Sequence, residues 1–280
     1  MTVQDESRLR PITSRQNALV KELRKAFHQG EPTPEGSMAI EGLRIIEEAI
    51  RSGLKFQAVF FSESARSQAT KLLPQIASHT ETLMLPDDVF SSAVGTETPQ
   101  GVAALVRWKP AKLDDLLDPV NDNLFLVALG GIQDPGNLGT IIRSAEAFKA
   151  RGVLLAEKTV SPFNSKVVRA SAGSIFREPV MRVKLGETVA KLKRAGVRIL
   201  ATSSHKGMPL QEANFARPCM IVIGNEGAGL APEILAQADE LVTIPHSENV
   251  ESLNAGIAAS IILYEAARQR RQNLTADEHG

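Results

Sequence analysis

Three times beyond residue 120 of this chain, a short apolar run ends in a polar, glycine-bearing loop. The run 124–129 leads into Asp134-Pro135-Gly136-Asn137-Leu138-Gly139. The run 220–223 leads into Gly224-Asn225-Glu226-Gly227-Ala228-Gly229, and 241–244 into Pro245 and then Ser252-Leu253-Asn254. Further apolar runs at 153–156 and 197–202 read as strands, and helical periodicity falls at 138–150, 166–172, 188–195, 231–236 and 253–271. Strands alternating with helices imply an α/β domain whose parallel sheet is covered on both faces. Such sheets bind ligands beyond the carboxyl ends of their strands, where these loops lie.

The first half reads as a smaller α/β domain. Residues 1–11 are expected to be a flexible arm. A basic helix follows, capped by Thr13 or Ser14 and stopped at Gly30. A loop at 31–37, a helix at 42–52, a strand at 58–61, a helix at 64–78 and a strand at 102–106 complete a domain spanning 12–107. The proline-flanked, acidic stretch 108–121 is expected to be a linker with a short helix at 113–117. The larger domain spans 122–272, and 273–280 is a tail.

Formal net charge is zero, so a protein that grips nucleic acid must concentrate its cations locally. On the basic helix, Lys21, Arg24, Lys25 and His28 share one face, with Leu19, Val20, Leu23 and Phe27 opposite. A solvated surface face explains the pattern equally well. Lys166, Arg169 and Arg177 form a second basic group. The lone Cys219 opens an apolar run and reads as a core thiol, and one cysteine excludes an internal disulfide framework. The five histidines lack metal-ligand spacing, so no metal is expected. No apolar run is long enough to span a membrane, and the polar start is no secretory signal, so a cytoplasmic protein is expected.

Taken singly, each loop has a bland explanation. The first is a β-to-α turn capped by Asn137, opening a helix with the stripe Leu138, Ile141, Ile142, Ala145 and Phe148 and with Arg143 off that stripe. The second packs three glycines into six residues, which lets the backbone approach a ligand closely, but it is neither a dinucleotide fingerprint nor a Walker A loop. In the third, Ser252 or Asn254 can simply cap the last helix, whose apolar positions Leu253, Ile257, Ile261 and Tyr264 form one stripe.

In combination and in this order, the loops resemble those of the SpoU (TrmH) family of RNA ribose methyltransferases, within the SPOUT superfamily. The resemblance is carried by 131–139 through Arg143, by 223–230, and by Ile244-Pro245 with Val250-Glu251-Ser252-Leu253-Asn254. The stretches Ile12-Thr13-Ser14-Arg15-Gln16-Asn17, Glu41-Gly42 and Thr98-Pro99-Gln100-Gly101 resemble the family's substrate-binding domain, which folds like certain ribosomal proteins. Gly130 stands where that family often has aspartate, and His246 where methionine is usual.

The resemblance implies a homodimer, a deep C-terminal trefoil knot, and S-adenosylmethionine bound by Gly224, Ile244 and Leu253, with Thr202 and Asn225 as secondary candidates. It implies structured RNA as partner and a ribose 2′-hydroxyl as target, with large-subunit (23S) ribosomal RNA favoured by the added N-terminal domain, and with transfer RNA or a non-catalytic, ribosome-associated RNA-binding role as the alternatives. Arg143 is implied as the catalytic residue, assisted by Asn137, Glu226, Ser252 and Asn254. Removing a proton from an arginine at neutral pH costs about 8 kcal/mol. The expected role is therefore a cation that stabilises the developing alkoxide.

Overall fold

The computed structural model describes residues 8–117, 124–225 and 227–277, the last five of these by backbone alone. The chain divides into two compact units. One comprises residues up to Lys109 together with Ser161–Phe176, and the other Pro110–Val160 with Arg177 onward.

In the first unit the strands β1 (Leu9–Pro11), β2 (Ser37–Glu41), β3 (Phe56–Ser62), β4 (Glu81–Leu85) and β5 (Val102–Arg107) form one sheet in the order β1-β4-β3-β5-β2. Pairing is parallel across β1, β4 and β3, and antiparallel between β5 and each of β3 and β2. The helices are α1 (Ala18–Gln29), α2 (Leu43–Arg51), α3 (Arg66–Leu72) and α4 (Asp87–Val94). Val20 and Leu23 of α1 pack with Phe60, Leu105 and Phe90 in the core.

Several expectations change here. Residues 9–11 are not a loose arm but an edge strand, secured where the Thr82 hydroxyl donates to the Arg8 carbonyl at 2.6 Å. The cap of α1 is Asn17, whose Oδ1 accepts from the Leu19 and Val20 amides at 3.0 and 3.4 Å, and not Thr13 or Ser14. The stretch 64–78 is not one helix: α3 is flanked by two short 3₁₀ turns, and Pro74 falls inside the second.

In the second unit α5 (Leu113–Leu117) precedes β6 (Phe125–Gly130) and α6 (Pro135–Ala147). β7 (Gly152–Leu155) follows, and then the chain enters the first unit as α7 (Ser165–Ala170). There Phe163 stands edge-on to Trp108 at 5.2 Å, and the Ser161 hydroxyl donates to the Gly30 carbonyl. Back in the second unit come β8 (Val180–Arg182), α8 (Leu185–Arg194), β9 (Arg198–Thr202), β10 (Met208–Pro209), β11 (Cys219–Gly224), α9 (Pro232–Leu235), β12 (Glu240–Thr243) and α10 (Ala255–Asp277). The sheet order is β10-β12-β9-β11-β6-β7-β8, parallel throughout. Burial on both faces matches strands written almost wholly in Leu, Ile, Val and Ala. The ends of β6, β9, β11 and β12 therefore lie side by side at one edge.

The cap of α6 is Asp134, not Asn137: its Oδ1 accepts the Asn137 amide at 2.7 Å, with Pro135 at the first helical position. Asn137 instead sits within the first turn and is buried. Helix α10 starts at Ala255, after Asn254, whose Oδ1 accepts the Ile257 amide at 3.1 Å. Its buried face is Ala255, Ala259, Ile262, Leu263 and Ala266, while Ile257, Ile261 and Tyr264 of the expected stripe are 55%, 38% and 57% exposed.

Candidate active site

A cavity of about 520 Å³ opens where β9, β11 and β12 end. Its walls come from the loop after β9, the glycine loop after β11, the turn after β12, and the first turns of α10. The expected cofactor residues Thr202, Gly224, Asn225, Ile244 and Leu253 all line it, as does Ser252.

Close approach of backbone shapes the glycine loop. A Cβ on Gly224 would lie 2.6 Å from the Gly229 carbonyl carbon and 2.9 Å from the Leu230 nitrogen. Glycine is thus required at 224 by the loop's own fold, before any ligand is considered. Asn225 organises the same loop. Its Oδ1 accepts the Gly227 and Ala228 amides at 2.9 and 3.1 Å, and its Nδ2 donates to the Gly131 carbonyl at 2.9 Å. Asn225 and Gly229 also exchange two backbone hydrogen bonds. Thr202 joins neighbouring strand ends, donating to the Val222 carbonyl at 3.2 Å and accepting the Gly224 amide at 3.4 Å.

The loop after β6 is held from two sides. Gly131, at φ +91°, donates its amide to Thr159 Oγ1 at 3.2 Å while its carbonyl takes Asn225. Thr159 lies outside the three motif loops, and Asp134 belongs to the first of them as its cap. The Asp-Pro pair was a signal for a cap, since proline is favoured at the first helical position.

Helices α6 and α10 meet along a line of small and polar residues. The hydroxyls of Ser144 and Ser260 are 2.8 Å apart, and Phe148 meets Tyr264 edge-on at 5.8 Å. At the loop end of this seam, Asn137, Thr140 and Asn254 surround Gly256. Asn254 thus stands between two cavity-lining residues, Leu253 and Ala255. Arg143 lies exposed on α6, outside the cavity lining. Glu226 lies outside the described residues.

The proposed RNA-binding cations have unequal surroundings. Lys21, Lys25 and Lys166 are exposed. Arg24 donates to the Ser92 carbonyl and hydroxyl at 3.1 and 3.3 Å. Arg169, in the first unit, lies 3.9 Å from the buried Glu41 carboxylate, which also accepts the Gln100 amide at 2.9 Å. The Glu41-Gly42 and Thr98–Gly101 stretches are therefore a packed junction within that unit. Arg177 is clasped by both carboxylate oxygens of Glu146. Beside them the buried Glu178 is pushed up to about 8, first by burial and then by the Glu146 charge. Burial likewise raises the Cys219 thiol, and Arg270 opposes the shift. Among the described residues no group of three His, Cys, Asp or Glu is placed to hold a metal ion, and no helix is long and apolar enough to cross a membrane.

Residues 124–264 match the SpoU rRNA Methylase family, and residues 17–104 match the MRM3-like substrate binding domain. The chain belongs to the SpoU rRNA methylase family. It is 32% identical to the Bacillus subtilis 23S rRNA (guanosine(2553)-2′-O)-methyltransferase RlmP, over 91% of this chain and 98% of that one. It is also 32% identical to the Streptomyces viridochromogenes 23S rRNA (uridine(2479)-2′-O)-methyltransferase, over 95% of each. Among solved structures, the SpoU methyltransferase AviRb from Streptomyces viridochromogenes in complex with AdoMet superposes with a TM-score of 0.75 at 30% identity, covering 91% of this chain and 100% of that one. An AdoMet-bound rRNA methyltransferase from Sinorhizobium meliloti gives 0.77 at 30%, covering 93% and 98%.

The chain is an RNA 2′-O-ribose methyltransferase and its cofactor is S-adenosylmethionine. The cavity suits that molecule: it combines apolar walls (Leu235, Leu241, Ile262) for a flat base with exposed backbone groups and hydroxyls for a polar ligand.

Proposed function

We propose that this enzyme methylates a ribose 2′-hydroxyl of 23S ribosomal RNA in the cytoplasm, as a homodimer with the family's trefoil knot in its C-terminal unit. The observation that carries the reading is that the second and third motif segments line one cavity, while the first is tied to them by the Asn225–Gly131 hydrogen bond and by Asn137 meeting Asn254 over Gly256. The relatives named for 23S RNA align over both units, which favours ribosomal over transfer RNA. In this reading residues 12–107 hold RNA, 108–121 link the domains, and 122–272 carry the chemistry apart from 161–176, which fold with the first unit.

Bound S-adenosylmethionine supplies an activated methyl group and its own leaving group. The protein must then orient the ribose hydroxyl and accommodate its lost proton. Arg143 is exposed where RNA can reach it, and its planar cation would stabilise negative charge forming on the ribose oxygen and engage the adjacent phosphate. Asn137, Asn254 and Ser252 would orient the ribose, and Glu226 would hold a pocket donor. The exposed stripe Ile257, Ile261 and Tyr264, extended by Phe148, suits a second copy of the chain.

The deciding experiment maps 2′-O-methylation in total RNA with and without the gene, then repeats it with Arg143→Ala and Arg143→Lys. Loss of one 23S methyl group on deletion, unrestored by either variant while cofactor affinity persists, is expected. A lost transfer RNA methyl group would overturn the ribosomal assignment. Sedimentation of Ile257→Glu tests the dimer, with monomer expected.

A further inference from the structure

His246 lines the cavity at the ends of β9, β11 and β12. Its Nδ1 lies 2.7 Å from the Ile244 carbonyl oxygen. A carbonyl only accepts, so Nδ1 must carry the hydrogen. In the neutral ring Nε2 is then an acceptor. That Nε2 is shut off from solvent and has no hydrogen-bond partner among the described residues. Leaving a buried polar atom unpaired costs about 1–3 kcal/mol, a cost removed when a donor arrives. The neighbouring ring is that of His205, 5.2 Å away between centroids and tilted by 33°. His205 is exposed, sits on the loop after β9 and also lines the cavity, so it can yield to an entering ligand.

We propose that His246 is a binding residue for the cofactor, its Nε2 accepting a hydrogen bond from an N–H or O–H of the adenosine moiety. The inference rests on the cavity being the S-adenosylmethionine site. The neutral donors on the ligand are the adenine exocyclic amine and the two ribose hydroxyls.

Two measurements test this with S-adenosylhomocysteine as the probe. Long-range ¹⁵N–¹H spectra of the full chain should show His246 as the Nδ1–H tautomer, with its Nε2 resonance moving upfield on ligand addition. By calorimetry, His246→Met should bind about three- to ten-fold more weakly, the range of one hydrogen bond, while His246→Gln, whose amide oxygen reaches the Nε2 position, should recover most of the loss. Against a 6-oxo analogue or 2′- and 3′-deoxy analogues, the His246→Met penalty should vanish for the one lacking the partner donor. Thermal unfolding of each variant separates misfolding from lost binding. An Nε2–H tautomer, an unmoved Nε2 signal, or an equal penalty with every analogue would overturn the proposal. Failure of the wild-type protein to bind S-adenosylhomocysteine would instead overturn the assignment of the cavity.

Discussion

Asn137 on α6 and Asn254 before α10 point their side-chain oxygens at the same spot. Each Oδ1 lies 3.2 Å from where a Cβ on Gly256 would stand, with Thr140 Cβ at 3.4 Å. The two amides, 117 positions apart in sequence, are thus brought together over the one residue type that leaves room for both.

Gly256→Ala puts a methyl group into that space. Helix propensity favours alanine by up to about 1 kcal/mol, and the tight contacts offset part of it, so global stability should change little. The amides, however, must shift by a few tenths of an ångström. Turnover is expected to fall at least ten-fold with cofactor affinity kept and Tm within a few degrees of wild type. Unchanged single-turnover rates would show that this pair plays no part in orienting the ribose.

Gly224 makes a different case, because its missing side chain faces protein. Gly224→Ala drives a Cβ to 2.6 Å from Gly229, and neither partner is a flexible side-chain end. The loop must open, taking with it the Asn225 bonds to Gly227 and Ala228. Calorimetry should find cofactor binding weakened by more than ten-fold. Crystals of the variant should show a displaced 225–229 loop. Normal affinity would mean the loop tolerates opening and does not define the cofactor site.

The three motif loops were legible from sequence because each follows an apolar strand and each needs glycine or a capping side chain. What held them together was not. That Asn225 reaches Gly131, or that Thr159 holds Gly131 from the other side, depends on which strands become neighbours, and local pattern carries no such information. The same limit explains α10. Periodicity found an apolar stripe at Ile257, Ile261 and Tyr264, but the buried face is the alanine-rich one, packed chiefly against α6, where small side chains let the two helices approach closely. Short elements also escaped: β1 has three residues, one of them proline, and β8 has three residues ending in arginine. Neither is long enough to display an alternation.

Glu178 should leave a mark on stability. Its carboxyl is raised to about 8 in the folded chain, against an ordinary value of 4.5. Between these values the unfolded chain has released the proton and the folded chain keeps it. Stability is therefore fully present below about 4.5 and declines as pH rises towards 8, by at most about 1.4 kcal/mol per pH unit. Glu178→Gln removes the titration and should flatten the curve of Tm against pH from 5 to 8. Parallel curves for the two proteins would show that Glu178 ionises normally.

RNA affinity offers the last prediction. A neutral chain must bind phosphates with local cations, and the first unit displays Lys21 and Lys25 free in solvent on one face of α1. Arg24, on the same face, is engaged with Ser92 and contributes to holding α1 on α4. Each phosphate neutralised should add about 0.7–0.9 to the log–log salt slope of binding. Replacing Lys21 and Lys25 with glutamine should then flatten the slope by about 1.5 while S-adenosylhomocysteine affinity, a property of the other unit, stays constant. Arg24→Gln should cost stability more than slope, since it breaks an internal contact. Filter binding across a salt series, with calorimetry and thermal unfolding on the same variants, measures all three. A slope unchanged in the double variant would make this helix an ordinary solvated face and move RNA recognition to Lys166 or to cations of the catalytic unit.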